Sequence, residues 1–138
     1  MHFSKLSSLG LLLALLAAVG CSPSNQSSLG TVTGTLHIDG KPARAGINLE
    51  FDPVEKGVRG STATTDDSGQ FEAIYSLTRN GVRLGPCVVK LVPPEAVPTS
   101  RSAKRKLPFP DQYYEEIQQV DITSGYNTIE LAISTSGN

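Results

Sequence analysis

Between Thr31 and Ile133 apolar residues recur at every second position, in short runs broken by turn residues. "TVTGTLHID" sets Val32, Leu36 and Ile38 on one side and Thr31, Thr33, Thr35 and His37 on the other. Alternation of this kind, in segments rich in Thr and Val, predicts a half-buried strand. "DGKP" (39–42) supplies a turn, and "AGINLEFDP" alternates again through Ile47, Leu49 and Phe51 until Pro53 closes it. "GSTATTDDSGQFEAIYSL" predicts strand, turn, strand, and "LGPCVVKLV" puts Cys87, Val89 and Leu91 on one face. "QQVDITSGYNTIELAIS" gives two more strands, marked by Val120 and Ile122 and then by Ile129, Leu131 and Ile133. No stretch in this part holds a 3.6-residue period. Seven short strands at this spacing predict an all-β fold, a seven-stranded antiparallel β-sandwich.

The first twenty residues follow another pattern. Lys5 precedes an apolar run, Leu9 to Val19, too short to remain as a membrane-spanning helix. Residues 1–20 therefore read as a cleaved signal segment. Ala18, Val19 and Gly20 are small enough to sit near a cleavage site, and Cys21 follows directly. "AAVGC" resembles the lipobox of bacterial lipoproteins, although Ala18 stands where Leu is more usual. The resemblance implies a diacylglyceryl group on the Cys21 thiol, cleavage before it and acylation of the new amino terminus. Each buried methylene contributes about 0.8 kcal/mol, so two or three chains anchor firmly where one does not. Ser22 resembles the residue of lipoproteins sent to an outer membrane, which places the chain in the cell envelope, at the outer membrane or periplasmic face. Two other readings of Cys21 stay open: an incidental thiol after an ordinary secretory signal, and a disulfide with Cys87. "SPSNQSSLG" (22–30) has one apolar side chain and reads as a flexible tether with a mean span of roughly 15–18 Å.

Composition narrows the function classes. The 138 residues carry 12 Lys plus Arg against 13 Asp plus Glu, and this near-neutral balance disfavours nucleic acid as a partner. With His2 ahead of the cleavage point, His37 is the one histidine left, so a zinc site or a histidine-based triad lacks partners. No cofactor is expected. Asp66, Asp67 and Ser68 before Gly69 suggest a calcium loop, but the chain continues into a strand instead of the remaining ligands. A turn accounts for the same residues, with Asp66 accepting from backbone amides and Gly69 at positive φ. Cys87 shares the parity of Val89 and Leu91 and reads as a small buried hydrophobe.

"GTVTGTLHIDGKPARAGINLEFDP", "STATTDDSGQFEA" and "NGVRLGPCVVKLV" resemble the carboxypeptidase regulatory-like domain, a transthyretin-like sandwich with an Ig-like Greek key. The resemblance extends through "LPFPDQYY" and "ITSGYN" to short bacterial lipoproteins built from one such domain. It implies a signal peptide over 1–20, a lipidated Cys21 and tether over 21–30, and one sandwich over 31–134. The expected function is a lipid-anchored envelope protein whose domain is a non-catalytic binding or spacer module. Its partners would be the membrane, through acyl chains on Cys21, and an envelope polysaccharide or protein. A rival places ligand contact in the 93–114 loop, where Arg101, Lys104, Arg105 and Lys106 offer charge to anionic surfaces and Phe109, Tyr113 and Tyr114 offer rings. Those charges serve equally to solvate the loop, and the rings to pin it to the sandwich. A transthyretin-like hydrolase would need several converging His or Arg residues and a signature C-terminus, and "STSGN" with a single His provides neither.

Overall fold

The computed structural model describes residues 28–95 and 106–136, so the signal segment, Cys21 and most of the tether lie outside the described residues. The strands are β1 (Leu29–Ile38), β2 (Lys41–Pro42), β3 (Asn48–Pro53), β4 (Ser61–Thr64), β5 (Gln70–Glu72), β6 (Ile74–Ser76), β7 (Arg79–Asn80), β8 (Val82–Arg83), β9 (Gly85–Leu91), β10 (Gln118–Ile122) and β11 (Tyr126–Ile133). One short 3-10 turn covers Asp111–Tyr114. The protein is mostly β and its strands form two sheets, as the alternation predicts.

Two features depart from a seven-stranded antiparallel sandwich. Among the described residues there are eleven strand segments: β2, β7 and β8 are added two-residue pieces, the strand predicted over "QFEAIYSL" is divided into β5 and β6, and β2, β5 and β8 lie end to end along one edge of β1. The pairing is also not wholly antiparallel: the other edge of β1 runs parallel to β11, from Thr31↔Tyr126 to Ile38↔Ile133. The cause lies at residues 123–125. Although β10 and β11 are separated by this short turn alone, β10 pairs with β9 in the second sheet, in the order β10-β9-β3-β4-β6-β7. "TSGYN" is thus a corner between sheets, and Asn127 braces it. Its Oδ1 accepts from the Thr123 amide at 3.0 Å, while its Nδ2 donates to the carbonyls of Thr123 at 2.9 Å and Thr31 at 3.2 Å.

The core is what the sheets bury between them. Val32, Leu36, Leu131 and Val82 from one sheet meet Leu49, Phe51 and Val89 from the other, all fully buried. Phe51 and Phe71 touch across the interface with ring centroids 6.0 Å apart. Gly34 shares the inward parity of Val32 and Leu36, and β11 passes close over it. A Cβ there would lie 2.0 Å from the Ile129 carbonyl oxygen and 2.6 Å from the Phe71 ring. Glycine is unfavourable inside a strand on entropic grounds, and a close backbone approach is its usual reason to be there.

β1 gives the sandwich two poles. At the Leu29 pole lie the start of β1 beside β8, the 54–60 loop, the turn at 77–78, Leu84 and the 123–125 corner. At the Asp39 pole lie the Asp39–Gly40 turn, the 66–69 turn and both stems of the connection from β9 to β10.

Candidate functional site

The 66–69 segment folds as a turn. Asp66 Oδ1 accepts from the amides of Ser68 at 2.8 Å and Gln70 at 2.9 Å, and the Gly69 amide closes the turn on the Asp66 carbonyl at 3.0 Å. Gly69 has φ +73° and packs so tightly that a Cβ would sit 2.6 Å from the Ala43 nitrogen. Asp66 Oδ1 is thus engaged by the backbone of its own turn. Among the described residues no three His, Cys, Asp or Glu side chains converge. His37 is half-buried on the Thr-rich outer face, its Nδ1 3.5 Å from Glu130 Oε2. Thr33, Thr35 and Thr128 line an open hollow of about 490 Å³ with Asp66, Gln70 and Glu72.

Cys87 is buried as its parity predicts, with 1% exposure, and its thiol is free. Burial first, then the charges of Asp121 and Asp52, push that thiol up to about 11. A group so placed stays protonated at neutral pH and is a poor nucleophile. On the outer face of the second sheet Lys90 lies 3.2 Å from Asp52 Oδ2 and 3.6 Å from Glu50 Oε2. Partial burial pulls its ammonium down, but the bond to Asp52 and the two negative charges outweigh this and hold it above its usual value.

Of the loop residues expected to touch a ligand, Arg101, Lys104 and Arg105 lie outside the described residues, and Lys106 is exposed at the returning stem. That stem stands at the Asp39 pole. Phe109, Tyr113 and Tyr114 are half-buried and pack against the core, so their rings pin the stem. The Tyr113 hydroxyl accepts from the Ser134 amide at 3.1 Å. The Tyr114 hydroxyl is buried without a hydrogen-bond partner, approaching the backbone of Phe109 outside bonding geometry, and burial raises its pKa. Arg44, Pro94, Phe109 and Tyr114 border a hollow of about 100 Å³ here.

One cluster has no counterpart in the sequence reading. Arg59 and Arg79 approach the Tyr75 ring with guanidinium carbons 5.5 and 5.7 Å from its centroid. Leu77, at the turn between β6 and β7, is fully exposed at 106%. The strand period of "AIYSL" gives no sign of this, since Arg59 joins from the preceding loop. No family model, curated protein or solved structure matches the chain.

Proposed function

We propose that this protein is a lipid-anchored component of a bacterial cell envelope, with Cys21 as acylated first residue and a sandwich of the carboxypeptidase regulatory-like kind as a non-catalytic module at the membrane surface. The observation that carries the proposal is the order of the N-terminal residues. Lys5, the eleven largely apolar residues from Leu9 to Val19, Gly20 and Cys21 stand before a polar linker that reaches a compact domain at Leu29. Cys87 supports it indirectly, since its thiol is buried in the core of a domain whose packing needs no cross-link to Cys21. The non-catalytic role draws support from the chemistry of the reactive groups. The thiol is buried and held in its protonated form, and Oδ1 of the Asp66 carboxylate is used by its own turn.

Mass spectrometry of the N-terminal peptide of the mature protein tests the proposal. A thioether-linked diacylglyceryl group on Cys21 is the expected result. A free Cys21 thiol or a Cys21–Cys87 disulfide refutes it.

A further inference from the structure

We infer that the Leu29 pole of the sandwich is a contact surface for an anionic phospholipid bilayer, centred on the Arg59–Tyr75–Arg79 stack and the Leu77 turn. The inference rests on the proposal that Cys21 is acylated, and it assigns the face that the anchored domain turns to the membrane.

Three independent features coincide at this pole. The first is apolar exposure. Val54 (53%), Leu77, Leu84 and Tyr126 (91%) all project there, at the 54–60 loop, the 77–78 turn, the start of β9 and the start of β11. Scattered exposed hydrophobics need no explanation, but their concentration at one end of a domain marks an interaction surface. The second is charge. Lys56 and Arg59 in the 54–60 loop, Arg79 after the 77–78 turn and Arg83 next to Leu84 stand at the same pole, with Glu55 and, farther along the strands, Asp52 and Asp121 as its carboxylates. Guanidinium groups over a tyrosine ring, beside an exposed leucine, match the layered polarity of a headgroup region, where amphipathic side chains bury their stems and keep their charges wet. The opposite pole is mixed: Asp39, the Asp66–Asp67 pair and Glu115–Glu116 are exposed there beside Lys41, Arg44 and Lys106.

The third feature is reach. Seven residue steps separate Cys21 from Ser28, a distance of at most about 25 Å for any conformation of that segment. The chain then enters β1 at the Leu29 pole. β1 is 10 residues long, so the Asp39 pole stands about 33 Å farther along the strand axis. An acyl chain on Cys21 thus holds the Arg–Tyr–Arg pole at the bilayer and carries the stems of the 93–110 loop away from it. Contact with anionic lipid through Lys106 and its basic neighbours would require the domain to invert on its tether.

The chain has no tryptophan, so single reporters can be placed at will. The test uses the full mature protein in vesicles of phosphatidylcholine and phosphatidylglycerol at three to one, with nitroxide-labelled lipid as quencher. Leu77→Trp reports on the Leu29 pole, Tyr126→Trp is a second reporter of the same pole, and Lys41→Trp reports on the Asp39 pole. Thermal melts confirm that each variant folds. Quenching at least threefold stronger for Leu77→Trp and Tyr126→Trp than for Lys41→Trp is expected. The contrast should fall when phosphatidylglycerol is omitted, or when Arg59→Gln and Arg79→Gln are added to Leu77→Trp. Equal quenching at both poles, or an unquenched Leu77→Trp in protein that floats with the vesicles and carries an acylated Cys21, overturns this inference and leaves the anchoring proposal standing. Protein that does not float and has an unmodified Cys21 refutes both. Protection of Leu77→Trp in native envelopes but not in vesicles assigns the pole to a protein partner, and also overturns it.

Discussion

Gly34→Ala sets two effects of opposite sign against each other, and the structure decides between them. Replacing glycine inside a strand removes backbone freedom from the unfolded chain and would by itself stabilise by about 0.5–1 kcal/mol. The added Cβ, however, would lie 2.0 Å from the Ile129 carbonyl oxygen, and a comfortable contact is about 3.5 Å. The Phe71 ring edge at 2.6 Å blocks escape toward the core. Relief requires β1 and β11 to part by more than about 1 Å, which takes ladder bonds near 2.9 Å past their useful length. Overpacking costs about 1–3 kcal/mol and each weakened ladder bond adds about 1 kcal/mol. The net loss is therefore about 3 kcal/mol, a large part of the 5–15 kcal/mol typical of a domain. Urea unfolding followed by far-UV circular dichroism should show a midpoint lowered by about 2 M if m is about 1.5 kcal/mol/M. Thr33→Ala, on the exposed face one residue away, is the control and should fall within about 0.5 kcal/mol of the parent. A Gly34→Ala variant as stable as the parent would show that β11 does not pass over Gly34 as described.

Other outcomes follow from the same contacts. Cys87 should resist a thiol reagent at pH 8 in the native state and react once urea unfolds the domain. Its folded pKa of about 11 lies above the ordinary 9.0, so the stability it contributes is complete below pH 9 and is lost as pH rises toward 11. That loss amounts to about 2–3 kcal/mol, and Cys87→Ala should flatten this alkaline limb in melts run between pH 8 and 11. Asp39 accepts from the Thr135 hydroxyl at 2.6 Å and from its amide at 3.0 Å, and these bonds hold its carboxyl below the usual value. Its contribution is present above the carboxylate range and disappears as pH falls through it, so Asp39→Asn should weaken the acid dependence of the melting temperature between pH 5 and 2. Asp66→Ala removes two accepted amide bonds and should cost about 1–2 kcal/mol in chemical denaturation, with no response to added calcium in the parent.

The strands, the 66–69 turn and the burial of Cys87 were legible because each is a local signal: alternation names the buried face, and Asp66 with Gly69 names the turn. Alternation does not name a neighbour. Nothing in Val32 or Leu131 says that β1 and β11 lie side by side in parallel, and "TSGYN" resembles a hairpin turn until Asn127 is seen tying Thr123 to Thr31. β2 and β8 are too short to have a period at all. Gly34 sits at an inward position of an otherwise regular strand, and its reason is a carbonyl 95 residues later in sequence. The rings of Phe109, Tyr113 and Tyr114 fit two roles equally in sequence, and in the structure they pack half-buried against the core. The Arg59–Tyr75–Arg79 stack joins side chains 16 residues apart, which no motif links.

The position of β1 has a mechanical consequence. A pull delivered through the chain ahead of Leu29 runs along the axis of this strand, not across it. On one edge the load meets the parallel ladder from Thr31 to Ile38, and on the other it meets β8, β5 and β2 in turn. Sliding β1 out strains these bonds together, in shear, whereas a terminal strand peeled sideways would release them one at a time. Resistance to such a force is set by the height of the unfolding barrier, not by the equilibrium stability. The strand that the N-terminal chain enters is therefore the one placed to carry tension, and a pull on that chain would be borne by the first sheet before the second.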